Sequence, residues 1–457
     1  MEDLKPYPKY KTTKLNWLNQ VPIDWDVKRT AALFHEKKTL NKEYQFKQAF
    51  QFKFGEIVNK KQIGTQEESK ETYQKYTIVD KDDIVINGLN LNYDFLTQRV
   101  GKVRESGIIT SAYISISPQK EEIEPRYACY LLKTLDNRKM LNGMGTGIRL
   151  TLSFPELKKQ YLPLPTLSEQ IQIANYLDYK VALINKFIKD KKKEIILLKE
   201  QKQAEINQAV TRGVNPNAKM KDSGISWIGE IPEHWEIMHL RGLLKMTSVK
   251  NMAHLPLLSV VREKGVIVRD LVNDKNHNFV PDDLSGYKAV KKGDFVINKM
   301  KAWQGSCGVS NFDGIVSPAY YTFELDFENK DYFNLAIRSK IYVNFFTQFS
   351  GGIRVGQWDL SAQKLKSISF FVPPAKEQIE IEEYLKTKTE QINRAITAIE
   401  NEIALLQDYK ISLISNVVTG KVDVRNIAVE NTKEEPEEDL EDLEEMENSE
   451  DIENSEE

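Results

Sequence analysis

Cysteine, long apolar runs and catalytic motifs are what this sequence has little of or lacks. Its 457 residues include two cysteines. Cys129 and Cys307 lie far apart and form no Cys-x-x-Cys motif, so we expect neither a disulfide framework nor a zinc site. No run of about 18 apolar residues occurs, and the N-terminal MEDLKPYPKYKTTK has no apolar signal-peptide core. We therefore expect a cytoplasmic protein of two to four domains with no membrane partner.

The motifs of common enzyme classes are also missing. There is no GxxxxGK[ST] phosphate loop, and the glycine cluster GMGTG at 143–147 lacks the strand, helix and later acid of a dinucleotide site. The Asn/Asp-Pro-Pro-aromatic tetrapeptide of amino-methyltransferases is absent, the five histidines form no HExxH pattern, and no GxSxG elbow occurs. The sequence therefore predicts a binding and spacing protein without a metal site or catalysis of its own.

Charge is distributed unevenly along the chain. The net charge is −3, but residues 430–457 hold 16 acidic residues and one lysine. The rest of the chain, with 63 Lys and Arg against 51 Asp and Glu, has a net charge of +12. A basic body is typical of a polyanion-binding protein, although surplus lysine also serves solubility. The acidic segment has the composition of a disordered tail, which shields the basic body from polyanions or is simply solvated.

The sequence describes one plan twice. NWLNQVPIDW (16–25) is repeated as SWIGEIPEHW (226–235), with two tryptophans eight residues apart in each copy. Four further pairs follow in the same order at offsets of 205 to 211: GIITSAY (107–113) with GIVSPAYY (314–321), KDDIVIN (81–87) with KGDFVIN (292–298), GMGTGIRL (143–150) with SGGIRVG (350–356), and PLPTLSEQIQIANYLD (163–178) with VPPAKEQIEIEEYLK (372–386). We infer a tandem duplication with copies of about 210 residues, each beginning with mixed strands and short helices.

Each copy ends in a long stretch with helical periodicity. Apolar residues recur every seven positions, which predicts helices of roughly 45 residues and 65–70 Å that bury their stripes against each other. Thr166 to Glu169 predict a capping box, and Gly213 and Gly420 predict the helix ends. We expect the helices to pack antiparallel about a pseudo-two-fold axis, with a globular part near each end and the tryptophan segments docked onto the helices. The predicted packing residues are Val181, Ile184, Ile188, Ile195, Leu385, Ile392, Ile399 and Leu406.

Two unlike modules on one spacer suit double-stranded DNA with two half-sites. The copies differ strongly between their matched motifs, as in NKKQIGTQEESKETYQ (59–74) against HLPLLSVVREKGVIVRD (254–270). Different modules on a repeated frame predict two different half-sites, and thus an asymmetric, bipartite DNA sequence.

The chain resembles the specificity subunits of type I restriction–modification systems. The resemblance runs from Trp17 to about Arg425, and its most specific parts are PLPTLSEQIQIANYLD, VPPAKEQIEIEEYLK and SGISWIGEIPEHWE in duplicated order. It implies an α/β (α+β) fold in which two target-recognition domains are separated by helices packed as an antiparallel coiled coil. The implied boundaries are 1–162 and 214–371 for the recognition domains, 163–213 and 372–425 for the helical spacers, and 426–457 for the acidic tail.

The resemblance also implies the partners of the chain. These are two modification subunits, which bind S-adenosylmethionine and methylate adenine, and restriction subunits that use ATP with Mg²⁺. The chain itself would bind no cofactor and carry no catalysis.

Candidate DNA contacts follow from the chemistry of the bases. Arg and Lys suit guanine and phosphate, and Asn and Gln suit adenine. The matching glycine-rich loops contribute Gly147, Arg149, Gly352 and Arg354, and the stretches after the repeated Val/Ile-Ile-Asn contribute Asn90, Asn92, Lys299, Lys301 and Gln304. Alternatively the two arginines stabilise a turn. Trp303 is predicted to be a core residue, and a two-headed protein–protein adaptor without DNA binding is the alternative function.

Overall fold

The computed structural model describes residues 4–53, 55–60, 66–91, 98–148, 150–262, 264–269, 280–281, 283–352 and 358–429. They fall into two compact units. The first unit comprises the described residues of Met1–Lys189 and Glu402–Pro436, and the second comprises those of Asp190–Asn401. Each unit contains one globular part and one half of each of two long helices.

The described part of the first unit contains twelve strands. They are β1 Tyr10–Leu15, β2 Leu18–Pro22, β3 Asp26–Arg29, β4 Phe34–Glu36, β5 Phe50–Lys53, β6 Glu56–Asn59, β7 Thr77–Val79, β8 Ile84–Ile86, β9 Val100–Lys102, β10 Gly107–Ile109, β11 Ile114–Pro118 and β12 Tyr161–Leu164.

The described part of the second unit also contains twelve strands. They are β13 Met220–Asp222, β14 Glu230–Pro232, β15 Glu236–His239, β16 Leu244–Thr247, β17 Leu258–Val261, β18 Gly265–Val268, β19 Lys288–Val290, β20 Phe295–Asn298, β21 Cys307–Val309, β22 Gly314–Val316, β23 Tyr320–Leu325 and β24 Ser369–Val372.

The α-helices vary from single turns to very long rods. They are α1 Thr30–Leu33, α2 Gln66–Tyr73, α3 Pro125–Asn137, α4 Phe154–Leu157, α5 Leu167–Arg212, α6 Lys330–Ile337, α7 Lys340–Phe349, α8 Ala362–Ser367 and α9 Ala375–Val418. None of these described helices combines the length and apolar character needed to cross a bilayer.

The strand topology is the same in both units. The first unit has a four-stranded sheet of order β4-β11-β8-β9, and the second has β16-β23-β20-β21. Four two-stranded sheets correspond in the same way, so that β1-β2, β12-β3, β5-β6 and β10-β7 match β13-β14, β15-β24, β17-β18 and β19-β22. All pairings between these strands are antiparallel. A shift of twelve strand numbers relates the two copies, which confirms the mixed α/β fold and the duplication.

Apolar segments without alternation form the centre of each sheet. β8 and β20 are buried along their whole length, because helices or loops cover both faces of the sheet. In the first unit α3 covers the sheet, and the Glu124 side chain caps it by accepting a hydrogen bond from the Tyr127 backbone N–H at 2.7 Å. In the second unit two shorter helices, α6 and α7, occupy the corresponding part of the chain.

The two long helices pair antiparallel within each unit. In the first unit the N-terminal half of α5 meets the C-terminal half of α9, where the Lys410 ammonium donates to the Asn185 side chain at 3.0 Å. In the second unit the C-terminal half of α5 meets the N-terminal half of α9, where the Tyr384 hydroxyl donates to Glu205 at 2.7 Å. The antiparallel packing predicted from the heptads is therefore confirmed. Ile184, Ile188, Ile195, Leu385, Ile392 and Ile399 are buried, and Val181 and Leu406 are half-buried.

The second tryptophan of each repeat binds a glutamate at the start of a long helix. Trp25 donates its indole N–H to Glu169 at 3.0 Å, and Gly420 beyond the end of α9 lies against the same indole. We call Tyr7, Trp25, Glu169 and Gly420 the first junction. The Tyr7 hydroxyl donates to the same carboxylate oxygen at 2.7 Å.

The second junction consists of Trp235, His234, Glu377 and Gly213. Trp235 donates to Glu377 at 3.0 Å, His234 lies 2.6 Å from the same oxygen, and Gly213 follows the end of α5. The repeated tryptophan segments are thus docking segments, as the repeat predicts.

The capping box predicted at Thr166 is only half formed. The Glu169 backbone N–H reaches the Thr166 hydroxyl at 3.4 Å, but the Glu169 side chain turns to the first junction and does not return to Thr166. The buried indole and phenol compete for this carboxylate successfully, because they offer two side-chain donors in a site shielded from water. Gly213 and Gly420 end the helices with φ near +72°, which favours glycine.

Candidate nucleic-acid interface

Two loops of the first unit meet where the sequence predicts DNA contacts. One follows β8 at residues 87–91, and the other is a short hairpin at 146–151 closed by two hydrogen bonds between Thr146 and Thr151. The Leu152 N–H donates to the Gly88 carbonyl at 2.9 Å, and the Leu91 N–H donates to the Leu150 carbonyl at 3.1 Å. We call this pair of loops the first loop face.

The second unit brings the equivalent loops together in the same way. Lys299 directly follows β20, and its carbonyl accepts a hydrogen bond from the Leu360 N–H at 3.0 Å. A bridge between Gly351 and Asp359 closes the other loop. Because Gly88 and Lys299 occupy the same place after matching strands, this is the same backbone bond in both copies. We call the described residues 298–306, 351–352 and 358–360 the second loop face.

The structure places the predicted contact residues as follows. In the first loop face Asn90 and Gly147 are exposed, with φ of +52° and +77°, and the neighbouring Ile148 is 98% exposed. In the second loop face Gly352 is exposed, while Lys299, Lys301 and Gln304 are half-buried. Arg149, Asn92 and Arg354 lie outside the described residues. Each unit therefore assembles part of its predicted set on one surface, and the roles of these residues stay predictions.

Gly88 allows the two loops of the first unit to approach each other. A Cβ at this position would lie 2.6 Å from the Leu152 carbonyl oxygen, which is closer than real Cβ atoms come to backbone. A larger residue would push the hairpin away from the loop after β8. The glycine therefore belongs to the architecture of the face.

A buried arginine, which sequence reasoning missed, fixes the loop after β8. Arg99 is 1% exposed, and its guanidinium donates to the carbonyl oxygens of Asn87 at 3.1 Å and Leu89 at 2.7 Å. Its own carbonyl accepts from the Asn87 N–H at 2.8 Å, and its N–H donates to Asp136 at 2.6 Å. Nothing in the sequence around Arg99 distinguishes it from a surface arginine, because its partners are carbonyl groups and not a recognisable motif.

Two further lysines, Lys250 and Lys288, lie beside Lys299 of the second loop face. Burial lowers the pKa of Lys288, and the nearby cations Lys250 and Lys299 lower that pKa further. The hydrogen bond to Asp359, at 2.9 Å, raises the pKa of Lys299 although burial opposes it. In the described part of the chain Asp359 is the one carboxylate that pairs with these three lysines, and their positive potential suits phosphate oxygens.

Aromatic side chains lie beside these lysines. Trp303 and Trp358 pack edge to face with centroids 5.7 Å apart, and Trp303 is half-buried, whereas the sequence predicts a core residue. Among the described residues no group of three His, Cys, Asp or Glu side chains is arranged to hold a metal ion.

Comparison with known proteins extends these observations. Residues 22–197 match the model of the type I restriction modification DNA specificity domain. The type I restriction enzyme MjaVIII specificity subunit of Methanocaldococcus jannaschii is 25% identical over 381 residues, which cover 77% of this chain and 82% of that protein. A solved chain from work on complex assembly and conformational transition of the type I R-M system has a TM-score of 0.62 at 13% identity, covering 88% of this chain and 99% of that one. At that identity the likeness concerns the fold alone. The predicted resemblance is confirmed.

Proposed function

We propose, from the premise that this chain is a specificity subunit of a type I restriction–modification system, that its two units each read one half of an asymmetric, bipartite DNA site. The observation that carries the proposal is the pair of loop faces. Both are held by the same backbone hydrogen bond, yet Gly88 and Asn90 of the first face stand where the second has Lys299 and Lys301. The same frame with different side chains suits two different half-sites.

The net charge of +12 outside the acidic segment supports DNA as the ligand. Lys299 of the second loop face, with Lys250 and Lys288 beside the face, offers ammonium groups for phosphate contacts, and Gln304 offers an amide for a base edge. At the first loop face Asn90 offers an amide, and the exposed turn at Gly147 offers backbone N–H groups.

We assign the spacer and docking roles to the long helices. Two antiparallel helices that pack along one apolar stripe form a stiff pair. Such a pair suits a spacer that sets the distance between the two half-sites. Leu197 and Leu405 are 64% and 70% exposed on these helices, and exposed apolar side chains are typical of surfaces that bind another protein. We propose that two modification subunits dock there. We keep the boundaries 1–162, 163–213, 214–371 and 372–425 as the proposed domains and spacers.

The reaction itself belongs to the partners in this proposal. S-adenosylmethionine would bind to the modification subunits, and ATP with Mg²⁺ to the restriction subunits, while this chain selects the DNA sequence on which they act. We propose that the complex acts in the cytoplasm, where the cellular DNA is accessible.

Exchange of one recognition region tests modular reading. Residues 25–160 are replaced with the same region of another specificity subunit, the complex is assembled with its modification subunits, and methylated adenines are mapped across a genome. One half of the bipartite site should change and the other should stay. Retention of both halves after the exchange would contradict the proposal.

Single substitutions then test the two faces separately. Asn90→Ala should relax the reading of one half-site by about 1–3 kcal/mol, which is roughly 5- to 150-fold in binding. Lys299→Ala removes a proposed phosphate contact, so it should weaken binding of every sequence and reduce the salt dependence of binding. The control is Lys376→Ala, which removes an exposed lysine of the second unit on α9, away from the loop face. Equal effects of Lys299→Ala and Lys376→Ala would show that only overall charge matters.

A further inference from the structure

A pocket of about 820 Å³ lies in the first unit beside the first tryptophan of the repeat. Tyr10, Trp17, Arg138 and Lys421 line it, together with proline, leucine, asparagine and glutamine side chains, and none of its lining residues is acidic. The pocket therefore combines two cations, aromatic walls and neutral amide donors. It lies outside both loop faces.

Among the described residues no acidic side chain neutralises the positive charge in this pocket. The Arg138 guanidinium donates to the Trp17 carbonyl at 3.1 Å and to the Ser415 hydroxyl at 2.9 Å, and it lies 5.5 Å from the Trp17 ring centroid. Burial lowers its pKa. Within the part of the chain that the structure describes, no carboxylate forms an ion pair with Arg138 or with the exposed Lys421. A half-buried cation bound only to neutral groups has unused capacity for an anion.

The second unit serves as an internal comparison. Its first repeated tryptophan, Trp227, packs against Phe345 with centroids 4.7 Å apart, where Trp17 packs against Arg138. Val214 follows Gly213 in that unit, whereas Lys421 follows Gly420 in the first. The site is therefore apolar in one copy and cationic in the other. The described residues that immediately precede the acidic segment belong to the first unit, which contains the cationic site.

The chain leading to the acidic segment is attached to the first unit. The Asp423 N–H donates to the Lys5 carbonyl at 2.8 Å, and the Gln172 amide donates to the carbonyls of Val424 at 3.0 Å and Ile427 at 2.7 Å. The acidic segment therefore follows a stretch of chain that is attached to this unit, and it begins at residue 430, nine residues after Lys421. A segment with such a tether meets its own unit at an effective concentration on the order of millimolar.

We propose that the Trp17–Arg138–Lys421 pocket binds carboxylates of the chain's own residues 430–457. This segment has 16 acidic residues and one lysine, so its charge complements the pocket. Binding offsets part of the positive charge of the first unit. The interaction is ionic and partly exposed, so it weakens as salt rises.

Zero-length carbodiimide cross-linking of the full chain tests this binding, because it joins only amines and carboxylates that are in contact. Mass spectrometry should find Lys421 joined to glutamates of 430–457 about tenfold more often than Lys11. Lys11 is the matched control, since it follows Tyr10 on β1 and strand alternation turns its exposed side chain to the other face. The Lys421 links should fall at least fivefold between 50 mM and 500 mM salt and in Arg138→Gln. Protection of the Cys129 thiol in Arg138→Gln verifies that the first unit remains folded.

Two results would overturn the proposal. One is cross-linking of the segment to Lys11 and Lys421 with equal yield, or to neither. The other is evidence that the pocket binds DNA phosphate. This is tested with a shortened chain that ends at residue 429 and therefore keeps every described residue. If Lys421→Gln there lowers affinity for duplex DNA at least fivefold more than Lys11→Gln does, the pocket is a nucleic-acid site instead.

Discussion

Replacing Glu169 with glutamine should destabilise the first unit selectively. One carboxylate oxygen of Glu169 accepts hydrogen bonds from Tyr7 at 2.7 Å and from Trp25 at 3.0 Å, and the side chain is buried. Burial and the neighbouring carboxylate raise the pKa of Tyr7, so the phenol remains a donor at any ordinary pH. A bond to a charged acceptor contributes about 1.5–3 kcal/mol, and a neutral amide acceptor about half of that. Two such bonds predict a loss of about 2 kcal/mol in the free energy of unfolding of this unit.

Thiol labelling can measure this loss in one unit at a time. Cys129 is buried in the first unit and Cys307 in the second, and both are free. A loss of 2 kcal/mol makes opening of the first unit about 30-fold more frequent, so labelling of Cys129 should accelerate about 30-fold while Cys307 is unchanged. Glu377→Gln should give the opposite selectivity. Glu200→Gln, on an exposed position of α5, is the matched control.

The pairwise contribution can be isolated with a double-mutant cycle. Trp25→Phe removes the indole donor, and its combination with Glu169→Gln gives the coupling energy free of the cavity left by the smaller ring. We expect about 1–2 kcal/mol. A coupling below about 0.5 kcal/mol, or equal acceleration at Cys129 and Cys307, would refute the view that each junction stabilises its own unit.

Three further outcomes are expected. Burial raises the pKa of Cys129 to about 11 and that of Cys307 to about 12, so alkylation of the native chain should stay slow at pH 9, and fast labelling there would contradict the burial. Gly213→Ala should cost at least about 1 kcal/mol more in unfolding free energy than Gly224→Ala, because both have positive φ but only at Gly213 would the new Cβ lie 2.6 Å from the Glu377 carboxylate. Inserting two helical turns, seven residues, into each long helix should lengthen the DNA spacer by up to about three base pairs and leave the half-sites unchanged in methylation mapping.

Periodic features of the sequence were sufficient to predict most of the architecture. The heptads predicted two helices close to the observed Leu167–Arg212 and Ala375–Val418. The glycine after each helix predicted where that helix ends. The five matched stretches predicted a duplication that the twelve-strand correspondence confirms. Such features can be recognised in the sequence because a helix period and an internal repeat each involve many residues at regular spacings along the chain.

The site was only partly predictable. The sequence pointed to the loops carrying Asn90 and Lys299, but their pairing with later hairpins depends on hydrogen bonds between residues about 60 positions apart, such as Lys299 with Leu360. Sequence reasoning did not find Arg99, because a buried arginine bound to carbonyl oxygens has the same local sequence appearance as an exposed one. The contacts to DNA themselves stay predictions.

The sequence alone thus determined that there are two related halves, two long paired helices and an excess of basic charge outside an acidic segment. Only the tertiary structure decided what the repeated tryptophans bind. Glu169 is 144 positions from Trp25, and its local sequence indicates a capping box. Its carboxylate nevertheless accepts a hydrogen bond from the indole of Trp25. The physical reason is that a local pattern fixes the conformation of a segment, whereas the partner of a buried polar group depends on which distant donors the fold brings to it and shields from water.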